Sequence, residues 1–372
     1  MPVLLIILII SFIIISFSAF YFRKNKTTGK LRWSAYILFL ILLIEFTCAA
    51  GFYFKTGKLI YRSKPNPNFS LFKPHPYLVA VPRKNVTLTN NGKTITHNSS
   101  GFRGKEFSAE KKIPRIIAIG GSTTYGVAVS DNETWPYYLD SLQNGRSEVL
   151  NFGVPGYTTV EMLIQSELFV QDYKPDIVLI HAGLNDMRNY NVDSLERDYS
   201  NYHAPSYYAS MGFCYNSQLP NCASLMFLVM LMQQINLYPK CPFHQMYVTQ
   251  RKNNSIDSTA LKLYERNLHS LISFYKNRNI KVLLIPQVLN YDAFKTNIQK
   301  WIPFIPLKDI SETMKIYNSI TKNAGDEEHV LFAENILKTD WGVNDFADHT
   351  HLNANANRRF AGIINSCLEN LK

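Results

Sequence analysis

The stretch Arg115-Ile116-Ile117-Ala118-Ile119-Gly120-Gly121-Ser122-Thr123-Thr124-Tyr125-Gly126 decides the fold. Its first half, Arg115 to Ile119, is a short apolar run without alternation, the pattern of a strand buried on both faces. Two glycines then permit a tight turn. This predicts Ser122 at the carboxyl edge of a sheet, where open α/β sheets bind their ligands. The turn has neither the Lys of a phosphate-cradling loop nor a G-x-G-x-x-G pattern, which argues against nucleotide binding. Thr124 stands where a G-x-S-x-G elbow needs its last glycine, which disfavours that serine-hydrolase turn.

Working outward, four more short apolar runs follow: Val149 to Phe152, Ile177 to Ala182, Lys281 to Ile285 and Val330 to Phe332. Helical patterns separate them, at Glu133–Gln143, Thr158–Tyr173, Ser258–Asn277 and Asn353–Leu371. In the third, Leu261, Tyr264, Leu268, Leu271, Ile272 and Tyr275 recur at three- and four-residue steps and make one apolar face. Alternating strands and helices predict a parallel sheet covered on both sides. This domain is expected over residues 113–372. Residues 187–257 break the rhythm as a long insertion between the third and fourth strands, and contain the apolar patch Leu225 to Met232. That patch reads as a buried core helix, a lid over the site, or a surface dipping into a membrane.

The chain has 372 residues, 46 % of them apolar, which excludes a disordered tail protein. Its net charge of +11 invites an anionic partner, but the excess is local. Residues 1–64 hold nine basic side chains and one acid, Glu45, whereas the remaining 308 carry 30 basic and 27 acidic. Nucleic acid is therefore not an expected partner. Residues 2–22 form an apolar run free of charge, and residues 33–54 a second with the single charge of Glu45. Both have the length of membrane spans, and Trp33, Tyr53 and Phe54 mark the ends of the second. The first run has no basic segment before it, exceeds the usual signal core and lacks a small-x-small cleavage site, so it reads as a span rather than a signal. The connecting loop carries five basic residues and no acid, which predicts a cytoplasmic loop with the short N-terminus and everything after Phe54 on the extracytoplasmic side. Residues 55–112 follow as linker and lead-in; within them Lys55 to Lys84 is rich in Pro, Lys and Asn and reads as a linker or an extended packing arm. A carboxylate within a span is costly, so Glu45 is expected to be protonated, turned toward Ser11 or Ser16, or facing another membrane protein. Of the five cysteines, Cys214, Cys222 and Cys241 cluster in the insertion, as a disulfide pair or as free thiols. None has the spacing of a zinc site.

A serine nucleophile needs a base, and the base an orienting carboxylate. Asp348 and His351 lie three apart on a turn entering the last helix, with His349 as a decoy beside them. Acyl transfer also needs donors aimed at a developing oxyanion. Asn151-Phe152-Gly153-Val154-Pro155-Gly156 follows the second strand and Gly183-Leu184-Asn185-Asp186 the third. Taken together, Ser122, a glycine, Asn185 and His351 in this order resemble the SGNH (GDSL-type) hydrolase superfamily. The lead-in Asn98-Ser99-Ser100-Gly101-Phe102-Arg103-Gly104 also looks like that of its membrane-anchored members.

The resemblance spans about residues 97–372 and implies a flavodoxin-like three-layer α/β/α domain. It implies Ser122 as nucleophile, Asp348 and His351 as its triad partners, and an oxyanion hole from Ser122 and Gly156 N–H groups and the Asn185 amide. Gly156 is preferred to Gly153 because the family's N-x-x-x-x-G-x-T spacing falls on it through Asn151 and Thr158. Gly121 departs from the family, which has Asp before the serine. The expected activity is a membrane-tethered serine esterase without metal or cofactor, acting on an acyl ester such as an O-acetylated envelope glycan. An O-acyltransferase, a lipid or lysophospholipid esterase and a non-catalytic membrane-assembly partner are the rival readings.

Overall fold

The computed structural model describes residues 3–21, 28–56, 71–200, 222–237, 259–292 and 305–371, apart from positions 76, 79, 91, 109, 191, 193, 194 and 236. Cys214, Cys241 and most of the linker over 55–70 lie outside the described residues. The chain divides into two units, residues 1–69 with 212–244, and residues 70–211 with 245–372.

In the smaller unit, α1 (Val3–Tyr21) and α2 (Thr28–Thr56) pack together, with Phe12 and Phe39 in ring contact at 6.1 Å. Among the described residues one helix, over Gly29–Gly51, is long and apolar enough to cross a membrane. Within α1 the apolar segment is shorter, Ile9–Ser18. The insertion contributes a third helix here, Ala223–Gln234, so its apolar patch is no part of the catalytic core. Glu45 turns to that helix rather than to Ser11 or Ser16: its carboxylate accepts from the Ala223 N–H at 2.7 Å and the Ser224 N–H at 2.9 Å. Cys222 is a free thiol.

The larger unit opens with two small antiparallel pairs: β1 (Phe72–Pro74) with β2 (Ala80–Pro82), and β3 (Val86–Asn90) with β4 (Lys93–His97). This part of the chain, expected as a linker or extended packing arm and a lead-in, takes its structure from tertiary contact. Phe72 is fully buried against His97 and Tyr125. Then come β5 (Arg115–Gly120), α3 (Ser122–Tyr125), α4 (Trp135–Gln143), β6 (Glu148–Asn151), α5 (Thr159–Leu168) and β7 (Ile177–His181). The chain finishes with α6 (Thr259–Lys276), β8 (Lys281–Ile285), α7 (Ile310–Glu327), β9 (Leu331–Phe332), α8 (Asn335–Lys338) and α9 (Ala354–Glu369).

Strands β5 to β9 form one parallel sheet in the order β6-β5-β7-β8-β9, a doubly wound topology whose switch point lies beside β5. Successive side chains of β5 point to opposite faces. Ile117 and Ile119 pack with Met162, Leu268, Leu271 and Met314 from α5, α6 and α7. Ile116 and Ala118 pack on the other face with Trp135, Leu139, Phe360 and Ile364 from α4 and α9. Both faces are covered, which is why the strands read as unbroken apolar runs. The five strands and four helices expected from the sequence are present, and α7 is an addition.

Candidate active site

The serine stands where strand becomes helix. Gly121 is extended (φ −86°, ψ −150°), Ser122 opens the single turn of α3, and the Gly126 N–H donates to the Ser122 carbonyl at 2.8 Å. The first N–H groups of a helix have no acceptor within it, so the Ser122 N–H starts out available to a ligand oxygen. The turn is pressed against the loop after β6. A Cβ on Gly153 would lie 2.4 Å from the Tyr125 nitrogen, so only glycine fits there. Asn151 ties the two together: its amide donates to the Thr124 carbonyl at 3.0 Å while its oxygen accepts the Gly153 N–H at 3.0 Å.

Asp348 and His351 come from a distant stretch of the chain, with His351 229 residues from Ser122. Asp348 Oδ1 accepts the N–H groups of Thr350 (2.8 Å) and His351 (2.9 Å), which coils the loop so that Oδ2 meets His351 Nδ1 at 2.6 Å. His351 Nε2 then lies 2.8 Å from Ser122 Oγ. The helix that follows fixes this loop, since the Asn353 side chain caps α9 by accepting the Ala356 N–H and the Asn353 N–H donates to the Asp345 carbonyl. Burial opposes ionisation of Asp348, but the hydrogen bond and charge of His351 and the two backbone N–H groups win, holding its carboxyl well below the usual carboxylate range. An ionised Asp348 accepts only, which puts the imidazole proton on Nδ1 and leaves Nε2 free to accept from the serine. His349 does not join the chain of bonds to Ser122; its carbonyl accepts the Asn290 N–H at 2.9 Å, and burial lowers its own pKa.

Asn185 lies against the same turn. Its Nδ2 donates to the Tyr157 carbonyl at 2.9 Å and sits 2.4 Å from the place a Cβ on Gly121 would occupy. An amide nitrogen has two hydrogens, and the bond to Tyr157 uses one. Gly156, directly before Tyr157, has φ +85°, a left-handed conformation that favours glycine. Asp186 anchors this corner by accepting the Thr159 N–H at 3.0 Å and its hydroxyl at 2.6 Å. Burial pushes the Asp186 carboxyl up to about 6 although the Thr159 bonds pull it down. The structure thus gathers Ser122, Asp348, His351, Gly156 and Asn185 from loops after β5, β6 and β7 and from the entrance to α9.

Several supports were not read from the sequence. Arg103, 4 % exposed, donates to the Gly126 and Val129 carbonyls, both at 2.7 Å, and to Asp131 at 3.0 Å, while its guanidinium lies 4.7 Å from the Tyr125 ring centre. His97 Nε2 meets the Tyr125 hydroxyl at 2.7 Å, and burial with the nearby Arg103 charge lowers its pKa to about 4. His181, fully interior at the end of β7, pairs through Nδ1 with the Thr124 hydroxyl at 3.1 Å, and burial lowers its pKa to about 3. These histidines are neutral struts. The signal available for Arg103 was its place in the lead-in motif; the two histidines carried none.

The family model of the GDSL-like lipase/acylhydrolases matches residues 118–359. No curated protein matches the chain. Among solved structures, TesA is 13 % identical, with a TM-score of 0.42 over 69 % of this chain and 99 % of that one. A mutant of Axe2, an acetyl-xylooligosaccharide esterase from Geobacillus, is 19 % identical, with a TM-score of 0.39 over 68 % of this chain and 94 % of that one. LAE5, an α/β hydrolase from the metagenome of Lake Arreo in Spain, is 13 % identical, with a TM-score of 0.40 over 70 % and 98 %. Because the model runs from the middle of β5 into the last helix, across most of the larger unit, the chain belongs to the GDSL-like lipase/acylhydrolase family and is an ester-hydrolysing enzyme.

Proposed function

We propose that the protein is a membrane-tethered serine esterase that works through an acyl-serine intermediate. The observation that carries this reading is the unbroken line of bonds from Ser122 Oγ through the imidazole of His351 to Asp348. His351 Nε2 takes the serine proton as Oγ attacks the ester carbonyl carbon, and Asp348 stabilises the resulting imidazolium. The Ser122 and Gly156 N–H groups and the Asn185 amide hold the oxyanion. Collapse of the tetrahedral intermediate expels the alcohol, which takes the proton from His351. Water, activated by the same imidazole, then attacks the acyl-serine, and release of the acid restores the serine.

In this reading residues 2–22 and 33–54 both cross the membrane, the basic loop faces the cytoplasm, and the catalytic unit works on the extracytoplasmic side. The substrate class is an acyl ester, with the O-acetyl group of an envelope glycan favoured by that location. The test is release of p-nitrophenol from acetyl, butyryl and longer esters by the full chain in detergent, beside Ser122→Ala and His351→Ala. Turnover that both variants lose by about 10³-fold or more supports the triad. Equal activity in all three refutes it. Preference for the acetyl ester supports the substrate assignment, and preference for long chains replaces it with a lipid ester.

A further inference from the structure

Glu45 is 4 % exposed in a helix whose neighbours Leu40, Ile41, Leu43 and Ile44 are 40–55 % exposed. The start of the insertion helix supplies four donors to the Glu45 carboxylate. Oε1 accepts the Ala223 N–H; Oε2 accepts the Ser224 N–H, the Ser224 hydroxyl at 2.6 Å and the Cys222 thiol at 3.1 Å. The first N–H groups of a helix have no acceptor of their own, and the positive end of its dipole favours an anion. The insertion helix has no acidic residue in its first turn, so a residue 178 positions away supplies the cap.

The rest of the helix asks for an apolar medium. Phe227, Leu228 and Leu231 are 42–52 % exposed, and in water they would form an apolar patch on this helix. The neighbour that carries its cap is the apolar segment Gly29–Gly51. Glu45 lies six residues inside the end of that segment, about 9 Å along the helix axis, so the insertion helix begins below the boundary of the apolar zone. Twelve residues span about 18 Å, too short for a hydrocarbon core of about 30 Å.

We propose that Ala223–Gln234 is a half-span, seated among lipid acyl chains and fixed to the transmembrane helix by the carboxylate of Glu45. The inference rests on the reading of Gly29–Gly51 as a span. It makes the insertion a second attachment to the bilayer, separate in sequence from the N-terminal one. The acidic side chain that seemed a liability in the span is its anchor point.

The test places a nitroxide at Leu228→Cys, Leu231→Cys or Leu40→Cys in the full chain, with the native cysteines replaced by serine, in phosphatidylcholine vesicles. Collision with oxygen is compared with collision with a water-soluble nickel chelate. A several-fold excess of oxygen at all three positions is the expected result. Oxygen at 40 with chelate at 228 and 231 overturns the half-span and leaves the span standing. Chelate at all three overturns the span and the half-span together. In Glu45→Leu, position 40 is expected to stay in lipid while 228 and 231 gain chelate contact. Unchanged values at 228 and 231 in that variant overturn the role of Glu45. Retained ester turnover shows that each labelled chain has folded.

Discussion

Gly121→Ala perturbs the site by one methyl group. The backbone at 121 is extended, a conformation open to any residue, so the substitution carries no left-handed strain. The cost falls on one neighbour. The new Cβ would sit 2.4 Å from Asn185 Nδ2, where ordinary contact begins at 3.4 Å, so the amide must retreat by about 1 Å. That breaks its 2.9 Å bond to Tyr157 and moves a donor that we assign to the oxyanion hole. A misplacement of this size costs about 10²-fold, and loss of one such donor about 10²–10³-fold in kcat, or about 2.7–4 kcal/mol. The assay is steady-state turnover of p-nitrophenyl acetate by the full chain in detergent, with kcat and KM separated. Gly121→Ala is expected to lower kcat about 100-fold with melting changed little, and to add almost nothing in an Asn185→Ala background. A variant within about twofold of wild type, or effects that multiply in the double variant, would refute the account of Asn185.

Asp348→Asn is expected to lower kcat by about 10⁴-fold, because an amide no longer holds the His351 proton on Nδ1; turnover of the same ester checks it. The folded-state pKa of Asp348 is depressed, so its support of the site persists above the ordinary carboxylate range and fades only well below it. The acid limb of kcat/KM is accordingly expected to show a single proton, read from a pH profile in wild type. Asp186 runs the other way. With its folded pKa raised to about 6 from 3.8, the native state holds the proton more tightly, so this group costs stability as pH rises through that window, by about 3 kcal/mol in total. Urea unfolding between pH 4 and 7 is expected to show a flatter pH dependence in Asp186→Asn than in wild type. Arg103→Ala leaves the Gly126 and Val129 carbonyls and Asp131 without their buried donor, and is expected to lower unfolding free energy by about 3–5 kcal/mol in the same assay. Arg103→Lys is expected to recover little, since one ammonium cannot copy the planar fork.

Most of the sheet was legible because strands covered on both faces must be apolar through their interiors, and the stretches 116–119, 177–180 and 282–285 are. The site blocks were legible because doubly wound folds deliver them just after strand ends. What escaped depended on partners far away in sequence. The hairpin of β3 and β4 carries Thr, Lys and Asn and is held by bonds such as Thr96 N–H to Asp131, which no local pattern announces. Helix α7 buries Thr313, Asn318 and Thr321 along with Met314 and Tyr317, so its inward face has no clean apolar stripe. Glu45 was legible as an anomaly within an apolar run, but its partner lies 178 residues on in the insertion.

The serine and its histidine lie 229 residues apart, and the histidine is steered by a loop that the last helix pins in place. In the proposed mechanism the nucleophile therefore emerges during synthesis long before its base, and a ribosome stalled anywhere short of that helix yields a chain without general-base chemistry. Hydrolytic power waits on the folding of that helix. A growing polypeptide is thereby kept inert toward neighbouring esters until its fold is complete.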